Sequence, residues 1–207
     1  MNKTIDDHAD RFDSMASTYD SHERPVYRAC ADIVIEAAAV KSDDVVLDLG
    51  AGTGAISLPL ARQGHRVIAR DISEDMLAEA KTKAADAELD NIDFARGSFR
   101  EPAYSGDDIT VVTTNYALHH LDDLGKREAI AKIAQYRPER FVLGDLMFFD
   151  TSPEASPEYN PDVDDPATVG ILARAITDVG FEITRIEQVT DQVGVLVAVA
   201  PRDGWPQ

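Results

Sequence analysis

The chain has 207 residues, of which 44% are hydrophobic, and this content is enough for a real core within one domain. Its 38 acidic and 20 basic residues give a formal net charge of −18, which argues against DNA or RNA as a partner because nucleic-acid binding needs a cationic footprint. No window approaches the roughly 18 apolar residues of a membrane span, and the start lacks the apolar centre of a signal peptide. We therefore predict a cytoplasmic protein without membrane contact.

The first 40 residues are predicted to form a helical flap and a packing helix. Residues 4–21 carry an irregular apolar stripe that includes Phe12 and Tyr19, and this segment could lie on the main body. After Pro25, apolar residues at helical spacing predict a helix over residues 26–40. Its Cys30 is the chain's single cysteine, so it has no internal disulfide partner, and a place in the core is the simpler explanation.

Residues 41–200 alternate between strand and helix patterns. The run Val45 to Leu49 predicts a strand buried on both faces, followed by a glycine-rich turn at Gly50-Ala51-Gly52-Thr53-Gly54. Strands are then predicted over residues 65–71, 92–95, 109–114, 141–147, 181–187 and 193–200. Helices are predicted over residues 55–63, 122–136 and 166–179 and after the N-cap Ser73, and residues 150–165 form an exposed acidic loop that could be a lid.

This order predicts one doubly wound Rossmann-like α/β domain over residues 1–207. The sheet should have seven strands, mostly parallel, with an antiparallel C-terminal strand. In such a fold the ligand site lies at the carboxyl ends of the strands.

The glycine turn is the strongest local signal of a ligand site. Glycine tolerates positive φ and has no Cβ, so a ligand can approach the main chain. Gly50, Gly52 and Ala55 fit the dinucleotide fingerprint G-x-G-x-x-A, and Asp71 at the end of the second strand could accept from both ribose hydroxyls. These residues alone leave two adenosine cofactors open, a nicotinamide dinucleotide and S-adenosylmethionine.

The wider pattern resembles the class I S-adenosylmethionine-dependent methyltransferases. The resemblance covers roughly residues 40–200 and rests on Val46 through Gly54, Asp71-Ile72-Ser73 with Met76, Gly97-Ser98, and Asp108 through Leu118-His119-His120-Leu121. It implies S-adenosylmethionine as methyl donor and S-adenosylhomocysteine as product. The flap segments Phe12-Asp13 and Tyr19-Asp20 resemble those of small-molecule methyltransferases, which implies a small-molecule acceptor.

The resemblance also implies roles at the amino acid end of this cofactor. Asp48 would hold the glycine loop and the methionine amino group. The backbone at Gly50, Ala51 and Gly52 would contact the amino acid portion, and Asp71 would bind the ribose hydroxyls.

Further roles are implied at the adenine end. Ile72 and Met76 would sandwich the adenine ring. Ser98 stands where many relatives have aspartate and could still accept a bond from the adenine amino group, with the backbone amide of Phe99 beside it.

The catalytic candidates follow the fourth strand and lie in the flap. Asn115 and Tyr116 would lie beside the methyl group. His119 could act as a base, although of the pair His119 and His120 one could be packed and the other solvated; Tyr19 could equally be an aromatic anchor. Adjacent histidines lack the i, i+4 spacing of a helical metal pair, and with no third ligand evident we predict no metal.

The predicted function is therefore transfer of a methyl group from S-adenosylmethionine to a small molecule. Two alternatives stay open, an NAD(P)-dependent oxidoreductase and a non-catalytic S-adenosylmethionine-binding domain. The acceptor and the oligomeric state are not identified by the sequence.

The acidic composition also predicts a dependence on salt, because it resembles that of proteins from salt-loving (halophilic) microbes. At molar salt the Debye length shrinks to about 3 Å, which removes most of the self-repulsion of a highly charged surface. We expect the protein to be less stable in dilute buffer than in about 2–3 M KCl. Thermal melting in the two buffers tests this, and equal melting temperatures would contradict it.

Overall fold

The structure is a computed structural model, and it describes residues 4–21, 24–149, 160 and 163–205. The helices in this part of the chain are α1 (Ile5–Met15), α2 (Pro25–Ala38), α3 (Ser57–Arg62), α4 (Glu74–Asp86), α5 (Asp123–Gln135) and α6 (Val169–Asp178), with 3-10 turns at Ala16–Ser21 and Leu118–His120. The strands are β1 (Val45–Leu49), β2 (Arg66–Asp71), β3 (Ile92–Arg96), β4 (Val111–Asn115), β5 (Arg140–Phe148), β6 (Ala167–Thr168), β7 (Glu182–Thr190) and β8 (Val193–Val199). None of the helices in the described ranges is long and apolar enough to cross a membrane.

The strands form one mixed sheet in the order β3-β2-β1-β4-β5-β8-β7, and β6 pairs with β5 beside this path. The first five strands of that order are parallel, whereas β8 runs antiparallel to both β5 and β7. β1 lies at the centre, where Leu47 pairs with Ile68 of β2 and with Val112 of β4. The predicted fold class, a doubly wound and mostly parallel sheet with an antiparallel C-terminal strand, is confirmed.

Alternate residues of β1 supply two hydrophobic cores, one on each face of the sheet. Leu47 and Leu49 pack in the core that α5 and α6 cover. Val46 packs in the opposite core with Val34 of α2 and Leu60 of α3. A strand covered on both faces has no polar side, which explains why β1 is an almost unbroken apolar run.

Two predicted helices begin later than expected. The helix predicted from residue 166 begins at Val169, because Ala167 and Thr168 instead pair with the end of β5. Thr168 then caps α6 by accepting from the Ile171 amide at 3.3 Å. The helix predicted from residue 55 begins at Ser57, which places Pro59 in its first turn, where a backbone donor has no helical partner in any case.

The structure describes only part of the predicted lid. Residues 150–159, 161 and 162 of the acidic loop lie outside the described residues, so a lid over residues 150–165 stays a prediction. Cys30 lies in the core as expected, and burial raises the pKa of its thiol.

The flap predicted over residues 4–21 consists of α1 and the 3-10 turn that follows it. Thr4 begins α1 with a capping box: its hydroxyl accepts from the Asp7 amide, and the Asp7 carboxylate accepts from the Thr4 amide. Two acidic side chains then hold the segment against the sheet domain. Asp6 pairs with Arg96 at 3.2 Å, and Asp13 accepts from the Ser73 hydroxyl at 2.6 Å.

The glycine turn after β1 is shaped by packing on one side and left open on the other. Gly50 and Gly52 have φ of +71° and +52°. A Cβ added to Gly50 would lie 2.3 Å from the Ala117 Cβ, whereas a Cβ added to Gly52 would meet no atom within 4 Å. Gly50 is therefore fixed by the fold, and Gly52 borders free space.

Asp48 braces the base of this turn from inside the core. Its Oδ2 accepts from the Ser57 hydroxyl at 2.5 Å and its Oδ1 from the Thr113 hydroxyl at 3.0 Å, so one carboxylate links β1, α3 and β4. Burial raises the pKa of Asp48 to about 6, against the lowering effect of these two hydrogen bonds.

Because its pKa is raised, Asp48 should make the free energy of unfolding depend on pH. The folded state binds the Asp48 proton more tightly than the unfolded chain, so the associated stability is present below the ordinary value of 3.8 and is lost as pH rises through about 6. An Asp48→Asn variant has no such loss, so its free energy of unfolding relative to the wild type should rise by about 2–3 kcal/mol from acidic to neutral pH. Denaturant titrations across this range measure the difference. The exposed change Asp90→Asn is the control, and an equal rise in it would contradict the assignment.

Replacing the two glycines separately tests the different constraints on the turn. Gly50→Ala adds a clash with Ala117 to the cost of a positive φ, so we expect a loss of about 3 kcal/mol in the free energy of unfolding. Gly52→Ala has only the cost of a positive φ, so we expect a loss of about 1 kcal/mol in the free energy of unfolding. Denaturant unfolding measures both values, and similar losses for the two variants would show that packing on Ala117 does not fix Gly50.

Candidate functional site

A cavity lies at the carboxyl ends of the parallel strands, between the sheet and the flap. The glycine turn after β1, the end of β2 and the segment after β3 form one side. The end of β4 and the flap residues Ile5, His8, Phe12 and Tyr19 form the other. The position agrees with the general rule for open α/β sheets, whose ligands bind outside the carboxyl ends of the strands.

Asp71 connects two walls of this cavity. Its Oδ2 accepts from the Gly52 amide at 2.8 Å, and its Oδ1 accepts from the Ser73 amide at 2.9 Å. Burial raises the pKa of Asp71, although these backbone bonds act in the opposite direction. Each carboxylate oxygen has a second lone pair, so both can still accept from hydroxyls of a ligand.

The residues predicted at the adenine end lie together on the cavity wall. Ile72, Met76, Ser98 and Phe99 all line it, although they come from two separate segments. The Ser98 hydroxyl accepts from the Glu101 amide at 3.1 Å and so braces the turn after β3. Its remaining lone pair and its proton leave it able to bind a ligand as well.

The end of β4 brings Asn115 and Tyr116 to the cavity, and their predicted place beside the methyl group stays a prediction. Tyr116 has a φ of +54°, a costly conformation for a bulky side chain, and its ring packs edge-on against Tyr27 with centroids 5.1 Å apart. The Asn115 amide group is buried, and neither its oxygen nor its nitrogen has a hydrogen-bond partner among the described residues. A buried amide without partners costs about 1–3 kcal/mol, so a polar ligand group at this position would be stabilising.

Three of the predicted site residues do not line the cavity. Asp48 lies behind the glycine turn, where Ser57 and Thr113 occupy its carboxylate. The Ala51 amide donates to the Arg70 carbonyl at 3.0 Å, away from the cavity. His119 is 4% exposed and lies behind His120, which does line the cavity.

The two histidines lie in a compact polar cluster. His119 Nδ1 is 2.5 Å from Asp145 Oδ1, and the other oxygen of Asp145 accepts from the His119 amide. Asp164 Oδ1 lies 3.6 Å from His119 Nε2 and 3.2 Å from His120 Nδ1. The sequence offered no third partner for the histidines, because Asp164 is distant in the chain.

Burial and neighbouring groups shift the titration of this cluster. Burial, together with the adjacent His119, lowers the pKa of His120 to about 4. Burial alone would raise the pKa of Asp164, but the hydrogen bond from His120 and the nearby His119 together lower it. His120 is therefore neutral at physiological pH, and Asp164 is ionised.

The flap is also held against the glycine turn itself. Asp20 accepts from the Thr53 hydroxyl at 2.8 Å and pairs with Lys83 of α4. The Arg24 guanidinium stacks over the rings of Tyr19 and Tyr27, at 4.1 and 4.4 Å from their centroids. These contacts place Tyr19 in the cavity wall, and a catalytic role for it stays a prediction.

Several lining residues were missed by the sequence analysis. His8, Tyr27 and Arg100 line the cavity, yet none belongs to a motif that marks a site. Tyr27 offered one available signal, since it is a large aromatic residue outside the apolar stripe predicted for α2. No signal in the sequence marks His8 and Arg100, because they reach the cavity only through the docked flap and the turn after β3.

Comparison with known proteins identifies the family. The model of a protein family described as a methyltransferase domain matches residues 46–137. An uncharacterized methyltransferase of Geobacillus sp. (strain WCH70) is 34% identical over 144 residues, which are 69% of this chain and 65% of that protein. The chain thus spans slightly less than two thirds of that relative's length. An uncharacterized methyltransferase of Bacillus cytotoxicus is 31% identical over 152 residues, which are 72% of this chain and 69% of that protein.

Solved structures share the fold at lower identity. The [4+2]-cyclase SpnF superposes with a TM-score of 0.81 at 15% identity and covers 96% of this chain and 97% of its own. Magnesium protoporphyrin IX methyltransferase (ChlM) from Synechocystis PCC 6803, solved with bound SAM, has a TM-score of 0.73 at 20% identity and covers 94% of this chain and 96% of its own. With the sequence relatives, these matches confirm the predicted family: the chain belongs to the class I S-adenosylmethionine-dependent methyltransferases.

Proposed function

We propose that this chain transfers a methyl group from S-adenosylmethionine to a small-molecule acceptor. One observation carries the proposal: a single cavity joins the Gly50–Gly52 turn, Asp71 and the adenine-side residues to a space covered by the flap. Segments that are far apart in sequence therefore supply both a place for the donor and a place for an acceptor.

The cofactor half of the cavity supports the family's binding mode. The Asp71 carboxylate can accept from the ribose hydroxyls with its free lone pairs. Ile72, Met76 and Phe99 offer apolar contact to a flat adenine ring. The open space at Gly52 would receive the amino acid portion. In this proposal Asp48 and Ala51 do not contact the cofactor, because their polar groups bond to the protein behind the turn and hold the turn in place.

The acceptor half supports a small and largely apolar substrate. Phe12, Tyr19, Tyr27, Tyr116 and Leu121 surround it. The flap covers this space, whereas a macromolecular substrate would need an open groove. The net charge of −18 also disfavours a nucleic acid. The cytoplasmic location stays a prediction.

The chain's own contribution to the reaction is mainly alignment and exclusion of water. Bound S-adenosylmethionine would supply an activated methyl group, and its transfer to the acceptor's nucleophile would leave S-adenosylhomocysteine. Holding the reactants in line can contribute about 7–11 kcal/mol. The docked flap and Tyr116 would restrict the acceptor to such a pose.

A base is needed only when the acceptor must lose a proton, and two residues stay candidates for this role. His119 is oriented by Asp145 but lies behind His120, so it would act through the neighbouring cluster. Tyr19 borders the cavity directly.

Binding and turnover must be measured together, because the fold occurs with more than one activity. SpnF is a [4+2]-cyclase with the same fold, so cofactor binding alone does not establish methyl transfer. Calorimetry of the full chain with S-adenosylmethionine, S-adenosylhomocysteine and NAD(H) separates the proposal from an oxidoreductase. Binding of NAD(H) alone would contradict the proposal, and binding without methyl transfer to any acceptor would favour a non-catalytic domain.

Asp71→Ala is the residue-level test of the cofactor site. It should weaken the affinity for S-adenosylhomocysteine by about 1–3 kcal/mol, because the ribose hydroxyls lose their acceptor. Asp75→Ala is the matched control, since this exposed carboxylate lies nearby on α4 and does not line the cavity. Calorimetry of both variants measures the effect, with thermal melting as a check that the glycine turn stays folded. Equal affinities in the two variants would remove Asp71 from the site.

A further inference from the structure

We propose that His119, His120 and Asp164 form a binding site for one divalent transition-metal ion, with zinc as the best match. These three side chains each offer one ligand atom, and the three atoms lie within 4.8 Å of one another. The site is distinct from the proposed cofactor-binding residues and adjoins the acceptor half of the cavity through His120.

The distances within the cluster suit a tetrahedral ion. Ligand atoms bound to zinc at about 2.0–2.1 Å in tetrahedral geometry lie about 3.3 Å from one another. Asp164 Oδ1 is 3.2 Å from His120 Nδ1 and 3.6 Å from His119 Nε2. These two pairs are therefore close to the spacing of zinc ligands, and the third pair, a ring nitrogen of His119 and one of His120, lies within 4.8 Å.

Asp145 supplies the outer contact that metal-bound histidines usually make. A ligating histidine generally donates its second ring N–H to a carboxylate, which fixes the tautomer and the ring orientation. His119 Nδ1 faces Asp145 Oδ1 at 2.5 Å, and this leaves Nε2 directed at Asp164. The Asp145 carboxylate is itself fixed by the backbone amides of His119 and Leu146.

The third ligand is held in place by its own network. Asp164 Oδ2 accepts from the Asn160 amide at 2.8 Å, so Oδ1 is the oxygen that faces the histidines. The next residue, Asp165, donates its amide to the His119 carbonyl at 2.7 Å. The buried Lys126 ammonium donates to the carbonyls of Asp165 and Leu121. The segment that carries Asp164 is thus fastened to the segment that carries both histidines.

The charges of the cluster also favour a cation. The side chains of Asp145 and Asp164 are only 2% and 9% exposed, and two carboxylates lie against the two imidazoles. Buried carboxylates that face imidazoles attract a cation, since a charge away from water is costly unless it is paired. A divalent ion balances both while the histidines act as neutral ligands.

Two histidines and one carboxylate leave coordination positions free. In catalytic zinc sites with three protein ligands the next position holds water or substrate. Because His120 lines the cavity, an oxygen atom of an acceptor could take this position, and the ion would then lower the pKa of a hydroxyl or polarise a carbonyl.

Metal titration of the full chain tests the proposal without any assay of methyl transfer. Calorimetry with Zn²⁺ against a competing chelator should give one ion per chain, and Co²⁺ should give the absorption spectrum of a tetrahedral site. Asp164→Asn should weaken Zn²⁺ affinity at least about 100-fold, and Asp145→Asn about 10–100-fold through the outer contact.

Asp165→Asn is the matched control, because it removes the same charge from the adjacent exposed residue and should leave the affinity unchanged. His120→Phe is a second ligand variant that retains a ring against Phe12, in case Asp164→Asn does not fold. S-adenosylhomocysteine affinity and melting temperature report separately on the cofactor site and on folding. Absence of a stoichiometric ion, or equal affinities in Asp164→Asn and Asp165→Asn, would overturn the proposal and favour a cluster joined by hydrogen bonds alone.

Discussion

The Asp71 carboxylate is the contact on which the geometry of the site depends. It accepts from the Gly52 amide across the gap between neighbouring strands and from the Ser73 amide at the start of α4. The Arg70 carbonyl, one residue earlier, accepts from the amides of Gly50 and Ala51. The end of β2 thus sets the path of the glycine turn after β1, and the turn defines the wall on which a cofactor would rest.

The flap completes the site through contacts that are individually weak. Asp6, Asp13 and Asp20 each bind a group on the sheet domain, so part of the acidic excess is used to dock this segment. The ion pairs with Arg96 and Lys83 are partly exposed, and such pairs contribute about 0–1 kcal/mol each. The flap is therefore held by polar contacts at its edge and does not depend on the two hydrophobic cores of the sheet.

The two histidines can be recognised in the sequence, but their carboxylate partners cannot. His119 and His120 are adjacent, but the two residues that give them a chemical context, Asp145 and Asp164, come from β5 and from the segment before β6. Parallel strand β5 lies beside β4, so its buried Asp145 reaches the end of β4 only in the folded sheet. Neither partner follows a spacing rule along the chain.

The sequence by itself determined the fold class and the family, and it predicted most of the residues that line the proposed cofactor side of the cavity. These depend on local patterns: apolar runs that must be buried, glycines at positions of positive φ, and an acid at the end of a strand. Only the tertiary structure decided that Asp48, Ala51 and His119 lie behind the cavity while His8, Tyr27, Arg100 and His120 face it. The reason is physical, because a side chain's access to a cavity depends on how distant segments dock, and docking is set by three-dimensional packing that no single stretch of sequence records.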